Sequence, residues 1–228
     1  MIMKKKITLV VFALLAICTL NVKAQESSWH TGVDLYNTYV WRGTKFGTGP
    51  SFQPSFNYSK SGFTVGAWGA YSFSPSVFSV SEGTVVDAYI ETDLYASYLL
   101  SLGEKSSLTF TITDYFFPTS TSSYFDGEQH YLEPMVTLGV GKFSLAGAYM
   151  TNVNDVYLEA GFAVGAVNLF AGAGDGQYTK DTKFSLCNIG IKTVKTIKIS
   201  DSFSIPVTGA LVLNPSTEKF HMVVGITL

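Results

Sequence analysis

The chain has 228 residues, 46% of them hydrophobic and 14% aromatic, and only 14% are charged, where ordinary globular proteins carry about 25%. The formal net charge of −2 excludes a basic nucleic-acid surface, and two cysteines in the whole chain exclude a disulfide framework. Little charge with many Tyr, Phe and Gly suits a chain that keeps one face in lipid.

Lys4-Lys5-Lys6, the apolar run from Ile7 to Leu20 and the Val22-Lys23-Ala24 cleavage pattern read as a secretory signal peptide over residues 1–24. The run is too short for a membrane helix. Cys18 follows Ile17 rather than a small residue, which argues against a lipoprotein site. Removing the leader takes Lys4, Lys5, Lys6 and Lys23 from the 15 basic residues and none of the 17 acidic ones, so residues 25–228 are net acidic. They are expected to form one domain. Cys187 is the one cysteine left, read as a buried or lipid-facing thiol.

The first predicted strand runs through Gly32–Gly43. Val33, Leu35, Tyr39 and Trp41 share one face, with Asn37 the exception; Asp34, Tyr36, Thr38, Val40 and Arg42 share the other. Arg42 is the sole arginine. Thr44–Gly49 reads as a loop. Ser51–Ser59 and Phe63–Phe73 alternate next, joined by Lys60-Ser61-Gly62. After a Ser-rich loop over 74–84, Val85–Leu100 places Asp87, Tyr89, Glu91, Asp93, Tyr95 and Ser97 opposite Ala88, Ile90, Leu94 and Ala96. Leu108–Phe117 follows, then a polar loop over 118–129. His130–Val140, Phe143–Met150, Asp155–Val164, Val167–Gly174, Lys183–Ile199, Phe203–Leu213 and Lys219–Leu228 complete twelve candidates. Pro54, Pro134 and Pro206 fall inside strands, where bulges or ladder breaks are expected, and the parity of Phe170 conflicts with Leu169 and Ala171.

No run in residues 25–228 is long enough for a membrane helix, and tight turns alternate with longer loops. The expected fold is therefore all-β: a closed antiparallel transmembrane β-barrel of about twelve strands, an even number, with both termini periplasmic. Tyr39, Trp41, Tyr71, Phe73, Phe116 and Tyr149 are expected at the outer lipid interface. Tyr58, Phe63, Tyr98, Phe143 and Phe203 are expected at the periplasmic one. The location implied is the outer membrane of a Gram-negative cell.

Tyr39-Val40-Trp41-Arg42-Gly43, then Pro50-Ser51-Phe52-Gln53-Pro54, then Gly62-Phe63-Thr64-Val65-Gly66-Ala67-Trp68-Gly69 resemble the TorF family of porin-like outer-membrane barrels. Gln25 after the leader and the compact loops resemble its Bacteroidetes versions. The match is good over the first three strands and weaker around His130, Glu133-Pro134 and residues 207–215. The resemblance implies a barrel with a channel-like role, and it implies no catalytic residues.

On the inward face the alternation gathers Asp34, Asp87, Glu91, Asp93, Glu133 and Glu159 against Arg42, Lys192 and Lys219. Two readings stand side by side. One is a narrow porin-like channel for small polar or cationic solutes, because acidic rings select cations. The other is a plugged structural or adhesive barrel whose inward charges pair with each other. Arg42 is either a constriction guanidinium opposite Glu91 or Glu133, or a structural clamp. A lipid-modifying enzyme built on His30, His130 or His221 is the less favoured alternative, since no nucleophile elbow, paired-cysteine site or phosphate loop occurs. No catalytic, cofactor or metal residues are assigned. The expected partners are outer-membrane lipid and small polar solutes, not nucleic acid.

Overall fold

The computed structural model describes residues 27–73, 77–79, 84–86, 89–118, 124–125 and 130–228. The leader over 1–24 and Asp87 lie outside the described residues. In chain order the strands begin with β1 (Ser28–Tyr36), β2 (Tyr39–Trp41), β3 (Thr44–Phe46), β4 (Ser51–Lys60) and β5 (Phe63–Ser72). They continue with β6 (Val77–Ser79), β7 (Thr84–Val86), β8 (Ile90–Ser101), β9 (Ser106–Phe116), β10 (His130–Val140) and β11 (Phe143–Met150). The last are β12 (Asp155–Val164), β13 (Val167–Gly174), β14 (Ser185–Lys198), β15 (Ser204–Asn214) and β16 (Lys219–Thr227).

Twelve of these close into one antiparallel barrel, in which β1 pairs with β4 on one side and β16 on the other. The pairs β2–β3 and β6–β7 are two-stranded ribbons within the loops between wall strands. Closure leaves the wall without an unpaired edge, which an open sheet cannot achieve. Turns at 61–62, 141–142 and 165–166 mark one end of the barrel, together with the start of β1 and the end of β16; the longer connections gather at the other.

Alternation places polar and aromatic side chains inside and aliphatic ones outside. Glu91 and Asp93 are buried while their neighbours Ile90 and Leu94 are exposed. Leu94, Ile112, Val136, Leu158 and Val224 are exposed on the outer wall, whereas the most completely buried large side chains are Tyr178, Glu133, Asn214 and Cys187. Exposed rings mark both ends: Tyr71, Phe73 and Tyr149 at the loop end, and Trp29, Phe63, Phe143 and Phe203 at the short-turn end.

Two expectations need correction. β8 starts at Ile90 rather than at Val85, because 84–86 belong to the loop ribbon. At the three prolines the expected ladder break occurs, without a bulge. Each keeps its register on one side and drops out of the ladder on the other: Pro54 toward β5, Pro134 toward β11 and Pro206 toward β16. A proline has no N–H to give, so the break is one-sided. The bulge lies instead opposite Gly172 and Ala173, where Cys187 is the extra residue of β14, fully buried with its Sγ 3.7 Å from the Gly172 carbonyl. The Phe170 parity conflict resolves inward: its ring lies against Gly190, in the space that a side chain there would fill.

Candidate functional site

The second expectation overturned is the opening strand. It does not continue to Gly43. The wall strand β1 ends at Tyr36, and Asn37 does what the next ladder residue would do. Its backbone N–H donates to the Val224 carbonyl at 2.9 Å. Its Nδ2 donates to the Met222 carbonyl at 3.0 Å, and its Oδ1 accepts from the Val224 N–H at 2.8 Å. The side-chain amide thus completes the seam to β16 and frees the main chain to turn inward. Asn37, the exception in the apolar alternation, sits where the chain leaves the wall.

Beyond it, β2 and β3 form a hairpin inside the lumen. Arg42 (φ 49°) and Gly43 (φ 80°) make its two-residue tip, both in the left-handed region that such tight hairpins use. Tyr39 and Trp41 therefore do not face lipid. Tyr39 is buried against Phe46, Trp68 and Tyr89, and Trp41 packs on Tyr115 and Tyr178 with ring centroids 5.5 and 5.6 Å apart. Period-two alternation is the same for a wall strand and for a hairpin folded against the wall, so the pattern did not separate them.

Arg42 anchors the tip. Its Nη1 and Nη2 donate to Glu133 Oε2 and Oε1 on β10 at 2.5 and 2.9 Å, a bidentate pair. Nη1 also donates to the Tyr178 hydroxyl at 2.8 Å. The guanidinium lies 4.4 Å from the Trp41 ring centroid and 4.3 Å from that of Tyr157. Burial is the largest single influence and disfavours the charged form, but the Glu133 bonds and charge together with Tyr178 and Tyr115 outweigh it, and the Arg42 pKa is raised. Tyr115 Oη donates to Glu133 Oε1 at 3.1 Å, which completes the carboxylate's shell. Of the two partners left open for Arg42, the structure selects Glu133 and not Glu91.

Gly43 is fixed by contact as well as by φ, since a Cβ there would overlap the carbonyl oxygen of Cys187 in the β14 bulge. Gly43→Ala is expected to lift the hairpin tip off the wall. Increased trypsin cleavage after Lys45 in the folded barrel, with the heat-modifiable gel shift intact, is the result that checks it.

Among the described residues the hairpin stands between two chambers of the lumen. The first, of about 360 Å³, is lined by Asp34, Arg42, Gln53, Glu159, Asn188 and Lys192 among others. Here Asp34 accepts from the Thr227 hydroxyl at 2.5 Å, and Asn188 Nδ2 donates to both Tyr157 Oη and Glu159 Oε2, at 2.8 and 2.9 Å. The second chamber, of about 370 Å³, lies at the loop end between the hairpin and β8–β12; Glu91 and Asp155 line it. Asp93 is buried beside Glu91 on the same face of β8, with an Oδ1 that no donor among the described residues reaches.

Of the lumen candidates within the described residues, Asp34, Arg42, Glu91, Asp93, Glu133, Glu159 and Lys192 all face inward. They are not one cluster. Arg42 joins Glu133, Glu159 and Lys192 line the first chamber with Asp34, and Glu91 lines the second. Among the described residues Arg42–Glu133 is the one ion pair inside the barrel; the others are His130–Asp114, Lys183–Asp181 and Lys198–Asp201. Sequence reading missed Asp155, Tyr157 and Tyr178. For Tyr157 a signal existed: it sits opposite Gly172 and Gly174, inward glycines that leave room for its ring. For Tyr178 there was none, because it stands on a single 3-10 turn, Gly176–Tyr178, in a loop. The histidines are scattered: His30 lies by Ser28 on β1, His221 faces the lumen, and His130 bonds Asp114 and the Tyr124 carbonyl on the outer face.

Fold and site together define a class: a closed twelve-stranded barrel with an aliphatic exterior and an acidic lumen, narrowed by a hairpin from its own first loop. The chain belongs to the Gcw_chp family, described as bacterial proteins of unknown function, whose family model matches residues 23–201. That match spans the hairpin, Glu133 and the Cys187 bulge. No curated protein is significantly similar to the chain in sequence.

Proposed function

We propose that this barrel sits in the outer membrane of a Gram-negative cell with its termini in the periplasm, and that it is a narrow porin-like channel for small polar or cationic solutes. The exposed aliphatic wall with rings at both ends supports the membrane reading, since such a surface matches a lipid belt and its two interfaces. The resemblance of the opening segments to the TorF barrels agrees with it. The observation that carries the solute class is the lumen's charge. Arg42 is consumed by Glu133, while Asp34, Glu91, Asp93, Asp155 and Glu159 have no basic group within 4.0 Å among the described residues. Twelve strands lie between the filled eight-stranded barrel and the open sixteen-stranded porin, and an inserted hairpin narrows the space further.

The purified protein in a planar bilayer is expected to give small, cation-selective conductance steps. Glu91→Gln should move the reversal potential in a potassium chloride gradient toward zero. A plugged structural barrel is the second reading, favoured by the buried bidentate clamp; absence of conductance in any salt would establish it in place of the channel.

A further inference from the structure

We infer that the loop-end chamber is a binding site for a small organic ammonium ion. The inference refines the solute class of the channel reading, and it rests on that reading only for access from outside the cell. The chamber of about 370 Å³ is walled by rings from four strands, β2, β3, β9 and β10, and by Tyr89 and Phe117 beside the ends of β8 and β9. Tyr89 lies 5.3 Å from Phe46 and 6.2 Å from Phe117, and Phe117 lies 5.5 Å from Tyr131. Trp41 continues the row, 6.1 Å from Phe46 and 5.5 Å from Tyr115. Among the described residues two carboxylates, Glu91 and Asp155, join this wall, and no Lys or Arg does.

Three chemistries compete for such a space. A hard metal ion needs several oxygen ligands, and no group of three or more acidic, His or Cys residues able to hold one occurs among the described residues. A sugar needs donors for its oxygens as well as rings. Here three of the lining donors are already used: Tyr89 Oη on Glu91 at 2.6 Å, Tyr115 Oη on Glu133 at 3.1 Å and Gln177 Nε2 on Met150 Sδ at 3.3 Å. An organic ammonium asks for neither. It needs π faces, a negative field and an apolar envelope, and the chamber supplies all three. Asp93 is buried beside Glu91 with an unpartnered Oδ1 and does not line the cavity. Arg42, whose guanidinium lies 4.4 Å from the Trp41 ring centroid, is paired with Glu133 and lines the other chamber.

The test uses the whole folded barrel in a maltoside detergent, because detergents with quaternary ammonium headgroups would compete. Benzyltrimethylammonium is titrated while tryptophan emission and heat are followed, beside its neutral carbon isostere neopentylbenzene and a methyl glucoside. The expected result is saturable binding of the ammonium about tenfold or more tighter than the isostere, as a desolvated cation–π site gives. Glu91→Gln should weaken it about tenfold. Phe117→Leu, at a ring with no hydrogen-bonding role, should weaken it too while the heat-modifiable gel shift stays intact. No saturable binding, equal binding of the isostere, preference for the glucoside, or indifference to both variants would each overturn the inference. Binding is read without a membrane. A barrel that conducts but does not bind loses this inference alone, and one that binds but does not conduct loses the channel alone.

Discussion

Replacing Arg42 with alanine is expected to release the β2–β3 hairpin from the lumen wall. The change removes a bidentate pair and leaves Glu133, 2% exposed, with the Tyr115 hydroxyl as its remaining partner. Breaking a buried pair by deleting one member costs about 3–5 kcal/mol, because the other charge stays desolvated. The wall ladders do not involve Arg42, so the loss falls on the docking of the hairpin and not on barrel closure. Single-channel conductance should rise, Trp41 emission should shift to the red, and the heat-modifiable gel shift should persist. Arg42→Ala with Glu133→Ala should keep the conductance gain but recover part of any lost thermal stability, since no orphaned carboxylate remains. Unchanged conductance and emission in Arg42→Ala would mean that ring packing alone holds the hairpin.

The second large effect is expected on the outer wall. Leu94 is exposed near the middle of β8, facing away from the lumen. In a membrane-embedded barrel, Leu94→Arg should destabilise by about 2–4 kcal/mol, the cost of a guanidinium at the bilayer midplane. Val136→Arg on β10 should behave alike. At Ile90, the first residue of β8, the same change should cost only about 0–1 kcal/mol, as for sites near an interface. Ser97→Arg is the inward control and should be mild, because the lumen hydrates the head group. Gly66, also inward, cannot serve, since the Tyr95 ring occupies the space where its side chain would start. Urea titration of folding into lipid vesicles measures the series. Equal penalties at Leu94 and Ser97 would show that the wall is not in lipid.

The pleat makes alternation a property of each strand by itself, so the sequence could reveal twelve wall segments, their turns and their faces. Asp34, Glu91, Asp93, Glu133 and Glu159 were assigned inward from parity alone, and their positions agree. The reading broke where a residue's fate depends on something other than its immediate neighbours. Asn37 interrupts the apolar pattern, yet only its bonds to Met222 and Val224 reveal that it hands the chain from wall to lumen. Tyr39 and Trp41 look like interface aromatics in any local window, and the inward turn makes them packing for a constriction. The Cys187 bulge has no local mark either, because it exists only against the ladder of β13. What the sequence determined by itself was each segment's two faces. Closure decided the rest: it brought Arg42 to Glu133, 91 residues away, and to Tyr178, 136 residues away. Those contacts depend on which strands oppose each other across the lumen, and that is set by the number and stagger of strands around the whole ring.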